Sequence, residues 1–321
     1  MGGGSSSLKK SNHDLPSPIH VEEEKITEKS IHQDSQENPD EFRLNQLTQP
    51  IYISHVKTGN TLCSNDHILL LQDGSTTIEF RTPPKFQPTH ISWHNGLIRD
   101  TTWCSDLNVF IVLTKDALFS VSPISLFTIE TATNKPLVDL KISAYKTVKP
   151  YNDNVSFWRC TCAGETLYIN YSGFGTVIDE YSLTASSCKH INRWTPPKTC
   201  ATYEGIWCIR YQQETDQLGF SIMNSRNNQW HLEIRNRKEF ALLWQIVLPL
   251  GNGDCELSTL PNREWLAVNS CGIRLIQISN QKLKAGVEYQ RELKNAVAIG
   301  NLYFAIRTKN TIEIHQIKQS K

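Results

Sequence analysis

Short apolar stretches separated by polar turns recur along most of the chain and follow one pattern. Each unit has a short strand, a polar turn, an uninterrupted apolar strand, a tight turn and a strand in which apolar and polar residues alternate. The apolar strands begin at Ile68, Val109, Thr166, Leu218, Trp265 and Leu302, a mean spacing of about 47 residues. An uninterrupted apolar strand suits a position covered on both faces, and the alternating third strand suits a more exposed one.

Repetition at this period predicts an all-β propeller. One four-stranded sheet cannot bury both of its faces alone, whereas stacking sheets around an axis covers both and leaves only short edges. We predict six four-stranded blades. A seven-bladed ring is the alternative blade count, and a β-sandwich or two smaller β domains would also account for the strands.

The units that begin near Ile98, Val155 and Ile206 resemble WD40-like propeller repeats, and the resemblance extends over roughly residues 49–318. The Gly-His opening and the Trp-Asp ending of such repeats are absent. Trp103, Trp158 and Trp207 occupy equivalent positions in three successive units, before the apolar strand. We interpret these tryptophans as packing between blades rather than as a binding cage.

The two ends of the repeat region predict how the ring closes. The last unit supplies three strands and ends at Ile317, while residues 50–56 form an apolar strand with no partner nearby in sequence. We predict that residues 51–55 pair as the outer strand with residues 311–316 and complete the sixth blade. Deleting residues 1–45 should then leave the fold intact, and deleting residues 1–57 should destabilise it.

The first 41 residues differ in composition from the rest. They contain no aromatic residue and no cysteine, and nine acidic residues against four lysines give them a charge of −5, which leaves +6 for residues 42–321. Such a segment cannot bury enough apolar surface to order itself. We predict a disordered acidic tail over residues 1–45 and a propeller domain over residues 46–321. The mild excess of +6 predicts no nucleic-acid partner.

The extreme N-terminus matches a lipidation pattern. Met1, Gly2 and Ser6 fit M-G-x-x-x-[ST], which predicts N-myristoylation of Gly2 with Ser6 as part of the recognition sequence. Lys9 and Lys10 follow as membrane-proximal basic residues. An artificial Gly/Ser linker is the alternative explanation. One myristoyl chain binds membranes only marginally, so we predict weak, reversible contact of a cytoplasmic protein with the cytoplasmic face of a membrane.

The remaining residues offer no recognisable catalytic pattern. The nine cysteines follow no secretory leader and are interpreted as reduced, buried side chains. His90 and His94 flank Trp93 and are interpreted as surface groups or hydrogen-bonded groups rather than ligands. No nucleotide-binding, hydrolase or metalloprotease motif is present. We therefore predict no catalytic residue, no metal and no cofactor.

The sequence thus favours a monomeric, non-catalytic protein-interaction scaffold with protein partners that it does not name. The alternative is a propeller enzyme with a central-funnel site built from blade loops. That alternative requires carboxylates or histidines from three or more blades to converge on one solvated pocket.

Overall fold

The computed structural model describes residues 42–123, 141–251 and 253–317. In these residues the chain forms 24 β-strands and one 3-10 helix, Leu44–Gln46. The strands make six four-stranded antiparallel sheets. The six-bladed all-β propeller predicted from the repeat is therefore confirmed.

Five blades each use four consecutive strands, with the first strand innermost. Blade 1 contains β2 (Leu62–Ser64), β3 (Leu69–Gln72), β4 (Thr77–Arg81) and β5 (Thr89–Ser92). Blade 2 contains β6 (Ile98–Cys104), β7 (Val109–Thr114), β8 (Leu118–Val121) and β9 (Ile142–Ala144). Blade 3 contains β10 (Phe157–Ala163), β11 (Thr166–Tyr171), β12 (Ile178–Leu183) and β13 (Cys188–Trp194).

Blades 4 and 5 have the same order, and blade 6 borrows a strand. Blade 4 contains β14 (Glu204–Gln212), β15 (Gln217–Asn224), β16 (Gln229–Asn236) and β17 (Leu242–Leu248). Blade 5 contains β18 (Asp254–Leu260), β19 (Glu264–Ser270), β20 (Arg274–Ser279) and β21 (Lys282–Glu288). Blade 6 contains β22 (Leu293–Ile299), β23 (Tyr303–Thr308), β24 (Thr311–Gln316) and the N-terminal strand β1 (Tyr52–His55).

The ring closes as predicted, through pairing of β1 with β24. The two strands are antiparallel, with Tyr52 opposite Ile314 and His55 opposite Thr311. The backbone N–H of Ile51 adds a hydrogen bond of 2.8 Å to the carbonyl of Ile314. This pairing removes the open edge that blade 6 would otherwise present.

The folded domain begins earlier than the predicted boundary at residue 46. Phe42 and Leu44 are both buried, and the Phe42 ring lies 5.4 Å from the ring of Phe304 in blade 6. The side-chain amide of Gln277 in blade 5 accepts a hydrogen bond from the N–H of Leu44 at 2.9 Å and donates one to the carbonyl of Phe42 at 2.8 Å. Residues 42–45 therefore belong to the packed structure, and the expectation that residues 1–45 can be deleted without effect has to be revised.

The second strands are buried as expected, but the third strands are not the exposed ones. In β3 and β7 nearly every residue is buried, and β4 and β24 are buried almost as completely. The third strands are more buried than predicted because their polar side chains form ion pairs and hydrogen bonds inside the protein instead of facing water. The fourth strands, such as β13 and β21, carry the exposed positions.

The predicted packing of the tryptophans between blades is confirmed for Trp158 and Trp207. The rings of Trp158 and Trp207, from blades 3 and 4, meet edge to face at 5.2 Å. The indole N–H of Trp158 donates a hydrogen bond of 3.0 Å to the carbonyl of Trp207. Trp103 packs on Phe110 at 4.7 Å. These rings fill the space within and between blades.

Candidate functional site

The axis of the propeller is enclosed by the six innermost strands. Each of β2, β6, β10, β14, β18 and β22 contacts the innermost strand of the blade on either side, so together they form a closed ring. Side chains from distant parts of the sequence therefore meet at the axis. A concave surface of this kind, lined by residues from several elements, is a common type of binding site.

A cavity of about 680 Å³ opens at the end of the axis where each first strand turns into the second. All six blades contribute to its wall. Neutral hydrogen-bonding side chains dominate the wall, among them Ser64, Thr101, Thr102, Thr161, Ser258 and Thr259. The cavity is therefore polar, and the charged residues that line it are Asp66, Arg210 and Glu214. We call it the axial cavity.

Arg210 lies at the wall of the axial cavity and is held by Asp100. Its two terminal nitrogens donate to the two Asp100 carboxylate oxygens at 2.8 and 2.9 Å. The same carboxylate accepts the backbone N–H of Cys160 at 2.9 Å. Burial opposes the positive charge of Arg210, but the Asp100 carboxylate outweighs burial, so the pKa of Arg210 lies well above its usual value.

A second ion pair lies beside the first. The Arg159 guanidinium binds the Glu256 carboxylate, and both side chains are buried. Arg159 also donates to the carbonyl of Arg99 at 3.1 Å and lies over the Trp158 ring at 4.5 Å. Two guanidinium groups and two carboxylates thus balance each other in this cluster.

Burial raises the pKa of three cysteine thiols near the axis. Burial raises the pKa of the Cys63 thiol and of the Cys208 thiol to about 12, and it raises the pKa of Cys160 well above its usual value. A nucleophilic cysteine needs a lowered pKa. Cys104 alone among the described cysteines has a lowered pKa, because Cys162 donates to its sulfur. Eight cysteines are buried and none of the nine is in a disulfide, as predicted, while Cys271 is exposed.

A propeller enzyme was expected to bring carboxylates or histidines from three or more blades to one solvated pocket. The residues that line the axial cavity do not meet this requirement. Its carboxylates come from two blades, Asp66 of blade 1 and Glu214 of blade 4, and no histidine lines it. Both carboxylates lie on exposed turns rather than in a desolvated position. Its lining therefore offers mainly hydrogen-bonding groups together with two exposed carboxylates.

One cluster away from the axis has metal-ligand residue types. Atoms of Asp73, Glu79 and His90 lie within 4.8 Å of one another. Each carboxylate already has a partner, because Asp73 accepts the N–H of Lys57 at 2.5 Å and Glu79 binds the Arg81 guanidinium. His90 is exposed and lies 3.6 Å from Glu79. His94 is also exposed, so both histidines have the surface or hydrogen-bonded character that we predicted.

The residues of the predicted lipidation site lie outside the described residues. These are Gly2, Ser6, Lys9 and Lys10. Among the residues that the structure describes, no helix is long and apolar enough to span a bilayer.

The charged cluster at the axis was missed by the sequence analysis. Asp100 and Arg210 are 110 residues apart, and motif searches look for residues at short spacing. A signal was nevertheless present: Asp100, Arg159, Glu256 and Asn295 each occupy the third position of an innermost strand. A polar residue that recurs at one place in the repeat points to the axis.

Comparison with known proteins shows the fold. No protein-family model matches the chain, and no curated protein matches its sequence. A luciferin-regenerating enzyme has 11% identity over 82% of this chain and 92% of its own, with a TM-score of 0.55. A chain of the mitotic checkpoint complex has 7% identity over 94% of this chain and 99% of its own, with a TM-score of 0.54.

The WD40 domain of Toxoplasma gondii coronin is also similar, at 8% identity over 86% of this chain and 89% of its own, with a TM-score of 0.52. At such low identity these likenesses report architecture, not activity. With six four-stranded blades and a closing N-terminal strand, the chain has the fold of a WD40-like β-propeller.

Proposed function

We propose that the protein is a non-catalytic interaction scaffold, a monomeric propeller that binds protein partners and no nucleic acid. The observation that carries this proposal is the charge balance at the axis, where Asp100, Arg159, Arg210 and Glu256 neutralise one another. The polar axial cavity above them can accept a side chain or a short segment of a partner. One similar solved structure is a chain of a multiprotein complex, which agrees with this role.

We further propose that an N-myristoyl group on Gly2 brings the scaffold to the cytoplasmic face of a membrane. Ser6 completes the recognition pattern, and Lys9 with Lys10 adds about 1 kcal/mol each at an anionic surface. A single acyl chain gives marginal binding, so the attachment is reversible and most of the protein is cytoplasmic at any time.

The lipidation proposal is tested by intact mass and by membrane fractionation of the protein expressed in eukaryotic cells. The expected mass reflects loss of Met1 and gain of one myristoyl group, and the matched Gly2→Ala variant lacks the acyl group and leaves the membrane fraction. A wild-type protein that lacks the acyl group would overturn the membrane proposal and leave the scaffold proposal untouched.

The scaffold proposal is tested by crosslinking in cells followed by reconstitution of the captured pair from purified proteins. A partner that binds the purified chain directly, at one-to-one stoichiometry, is the expected result. If no captured protein binds directly, the chain is not a scaffold in the sense proposed.

The propeller enzyme is the second candidate, because one similar structure is a luciferin-regenerating enzyme. Incubation of the purified chain with a metabolite extract, followed by mass spectrometry, tests this candidate. Depletion of a compound by the purified chain would replace the scaffold proposal with the enzyme. Loss of that depletion in the Asp66→Asn/Glu214→Gln variant, whose circular dichroism is measured alongside, would assign the reaction to the axial cavity.

A further inference from the structure

The turns that surround the mouth of the axial cavity carry an unusual charge. Blades 1 to 4 each place one exposed carboxylate in the turn between the first and the second strand, namely Asp66, Asp106, Glu165 and Glu214. In the same set of turns, the only cationic side chain is Arg263 of blade 5. The fifth acidic residue, Asp216, is neutralised by Arg237 at 2.5 Å. We call the four exposed carboxylates the acidic rim.

The acidic rim stands out against the charge of the domain. Residues 42–321 carry +6 overall, yet these turns hold four exposed carboxylates and one cationic side chain, Arg263, at one end of the axis. Arg263 lies 3.8 Å from Glu214, but both side chains are more than half exposed. An exposed pair of this kind contributes little stability and is easily replaced by another cation.

Two hydroxyl groups inside the axial cavity point to a ligand independently of the rim. Thr101 of blade 2 and Ser258 of blade 5 line the cavity and are 2% and 5% exposed. Neither hydroxyl oxygen has a hydrogen-bond partner within the described parts of the chain. Buried hydroxyl groups normally have a partner, so these two covered oxygens at the cavity wall leave room for a donor that a ligand would bring.

We propose that the acidic rim and the axial cavity bind a basic segment of a protein partner, with one Lys or Arg side chain entering the cavity. This inference rests on the scaffold function proposed above and names the chemistry of the partner. Lys and Arg side chains carry only hydrogen-bond donors, and the free hydroxyl oxygens of Thr101 and Ser258 are acceptors. The rim supplies the long-range attraction that orients the segment.

The positions of the rim carboxylates also place the segment over four of the six blades. The four rim carboxylates come from blades 1 to 4, whereas the corresponding turns of blades 5 and 6 hold Arg263 and no acidic residue. A bound segment therefore lies over blades 1 to 4 and displaces Arg263 from Glu214. The cavity of about 680 Å³ is large enough for one long side chain with its hydration shell.

The test uses two short fluorescent peptides of glycine and serine, one with several arginines and the other with glutamates at the same places. Fluorescence anisotropy with the purified full chain should show binding of the basic peptide alone, weakening as salt is raised. The double variant Asp66→Asn/Glu214→Gln should bind it about tenfold more weakly. Equal binding of both peptides, or no loss in the double variant, would overturn the proposal.

Three single variants make the test specific. Asp153→Asn removes an exposed carboxylate at the opposite end of the axis, in the connection between blades 2 and 3, and should leave affinity unchanged. Arg263→Ala removes the competing cation and should raise affinity by about two- to threefold. Thr101→Val keeps the side-chain shape and should weaken binding of the basic peptide. Unchanged affinity would overturn the proposal that a Lys or Arg side chain enters the axial cavity.

Spermidine serves as a competitor that carries the same charge without a polypeptide. Displacement of the peptide by spermidine at equal concentration would assign the rim to free polyamines and overturn the assignment to a protein segment.

Binding of a cellular partner to the double variant separates this inference from the scaffold proposal. A cellular partner that binds the Asp66→Asn/Glu214→Gln variant normally would support the scaffold and reject the rim as its binding site.

Discussion

Several buried charged side chains of this propeller are held in pairs, and the alternation of each strand decides which of them can meet. Glu79 with Arg81, and Glu233 with Arg235, are two residues apart on a third strand, so both members point to the same side of the sheet. The Asp100–Arg210 pair instead joins two blades at the axis. A buried pair with full hydrogen bonding is tolerated, whereas a buried charge without its partner is strongly destabilising.

The axial pair gives a prediction at the residue scale. Asp100→Asn leaves the Arg210 guanidinium buried without a counter-charge and should lower the free energy of unfolding by about 3–5 kcal/mol. Urea denaturation followed by tryptophan fluorescence measures the change. The matched control is Arg263→Ala, which breaks an exposed pair and should change stability by less than about 1 kcal/mol. A loss of the same size in both variants would contradict the assigned role of the axial pair.

His315 gives a second prediction, on pH. Its ring is buried, and Nδ1 donates a hydrogen bond of 2.7 Å to the carbonyl of Thr48. Burial lowers the pKa of His315 in the folded state, although Glu313 nearby acts in the opposite direction. In the unfolded chain the pKa is about 6.5, so the unfolded state binds a proton first. The resulting stability is fully present above pH of about 6.5 and is lost as the pH falls through the folded-state pKa.

The measurement is the urea midpoint between neutral and mildly acidic pH. The wild-type midpoint should fall with pH, and the fall should be smaller in His315→Gln, whose side chain does not titrate. Substitution of the exposed His67 by glutamine should leave the slope of the wild type unchanged. A wild-type slope in His315→Gln would mean that other groups set the acid sensitivity.

At the scale of strands and sheets, a large side chain of one blade packs against a glycine of the next blade. Trp265 of β19 is 1% exposed and lies against Gly219 of β15, in the adjacent blade. A methyl group built on Gly219 would lie within 3.0 Å of three atoms of the Trp265 ring. The glycine is therefore required by the close approach of the indole, not by its backbone angles.

This contact predicts the effect of adding one methyl group. Gly219→Ala should destabilise the protein by about 1–3 kcal/mol, because a buried ring has to move in a well-packed core. Gly286→Ala is the matched control, since Gly286 lies in an outer strand with open space around it. The same denaturation experiment compares them. A loss in Gly286→Ala equal to that in Gly219→Ala would indicate a general effect of glycine replacement rather than the Trp265 contact.

At the scale of the whole molecule, the ring is held closed by its N-terminal segment. Strand β1 pairs with β24, and Arg307 of blade 6 donates hydrogen bonds of 3.1 Å to the carbonyls of Lys57 and Thr61. Phe42 and Leu44 add apolar contacts between blades 5 and 6. This closure brings residues from the two ends of the chain into contact. We therefore expect both ends to unfold cooperatively with the other blades.

Three truncations test this closure. Removal of residues 1–41 should leave the thermal midpoint unchanged. Removal of residues 1–45 also deletes Phe42 and Leu44, each worth about 1.5–3 kcal/mol if fully buried, and should lower the midpoint. Removal of residues 1–57 deletes β1 as well and should have the largest effect. Equal midpoints for the last two truncations would mean that β1 does not hold the ring.

Much of the architecture was predictable from the chain itself, because it depends on local regularities. The spacing of apolar strands gave the number of blades, and the unpaired strand at residues 50–56 with a three-stranded last unit gave the closure. The tryptophans before the apolar strands were correctly interpreted as packing. Each of these conclusions needs only periodicity and the requirement to bury apolar faces.

The tertiary structure alone decided which polar residues are buried and what they bind. The alternation of the third strands indicated exposure, but Glu79 binds Arg81 on its own strand and Glu313 binds Arg291 in the connection between blades 5 and 6, rather than facing water. Asp100 meets Arg210 across 110 residues, and the acidic rim assembles from four separate turns. Contacts of this kind depend on how blades are placed around the axis, and no short window of sequence contains both partners, so only the closed ring brings them together.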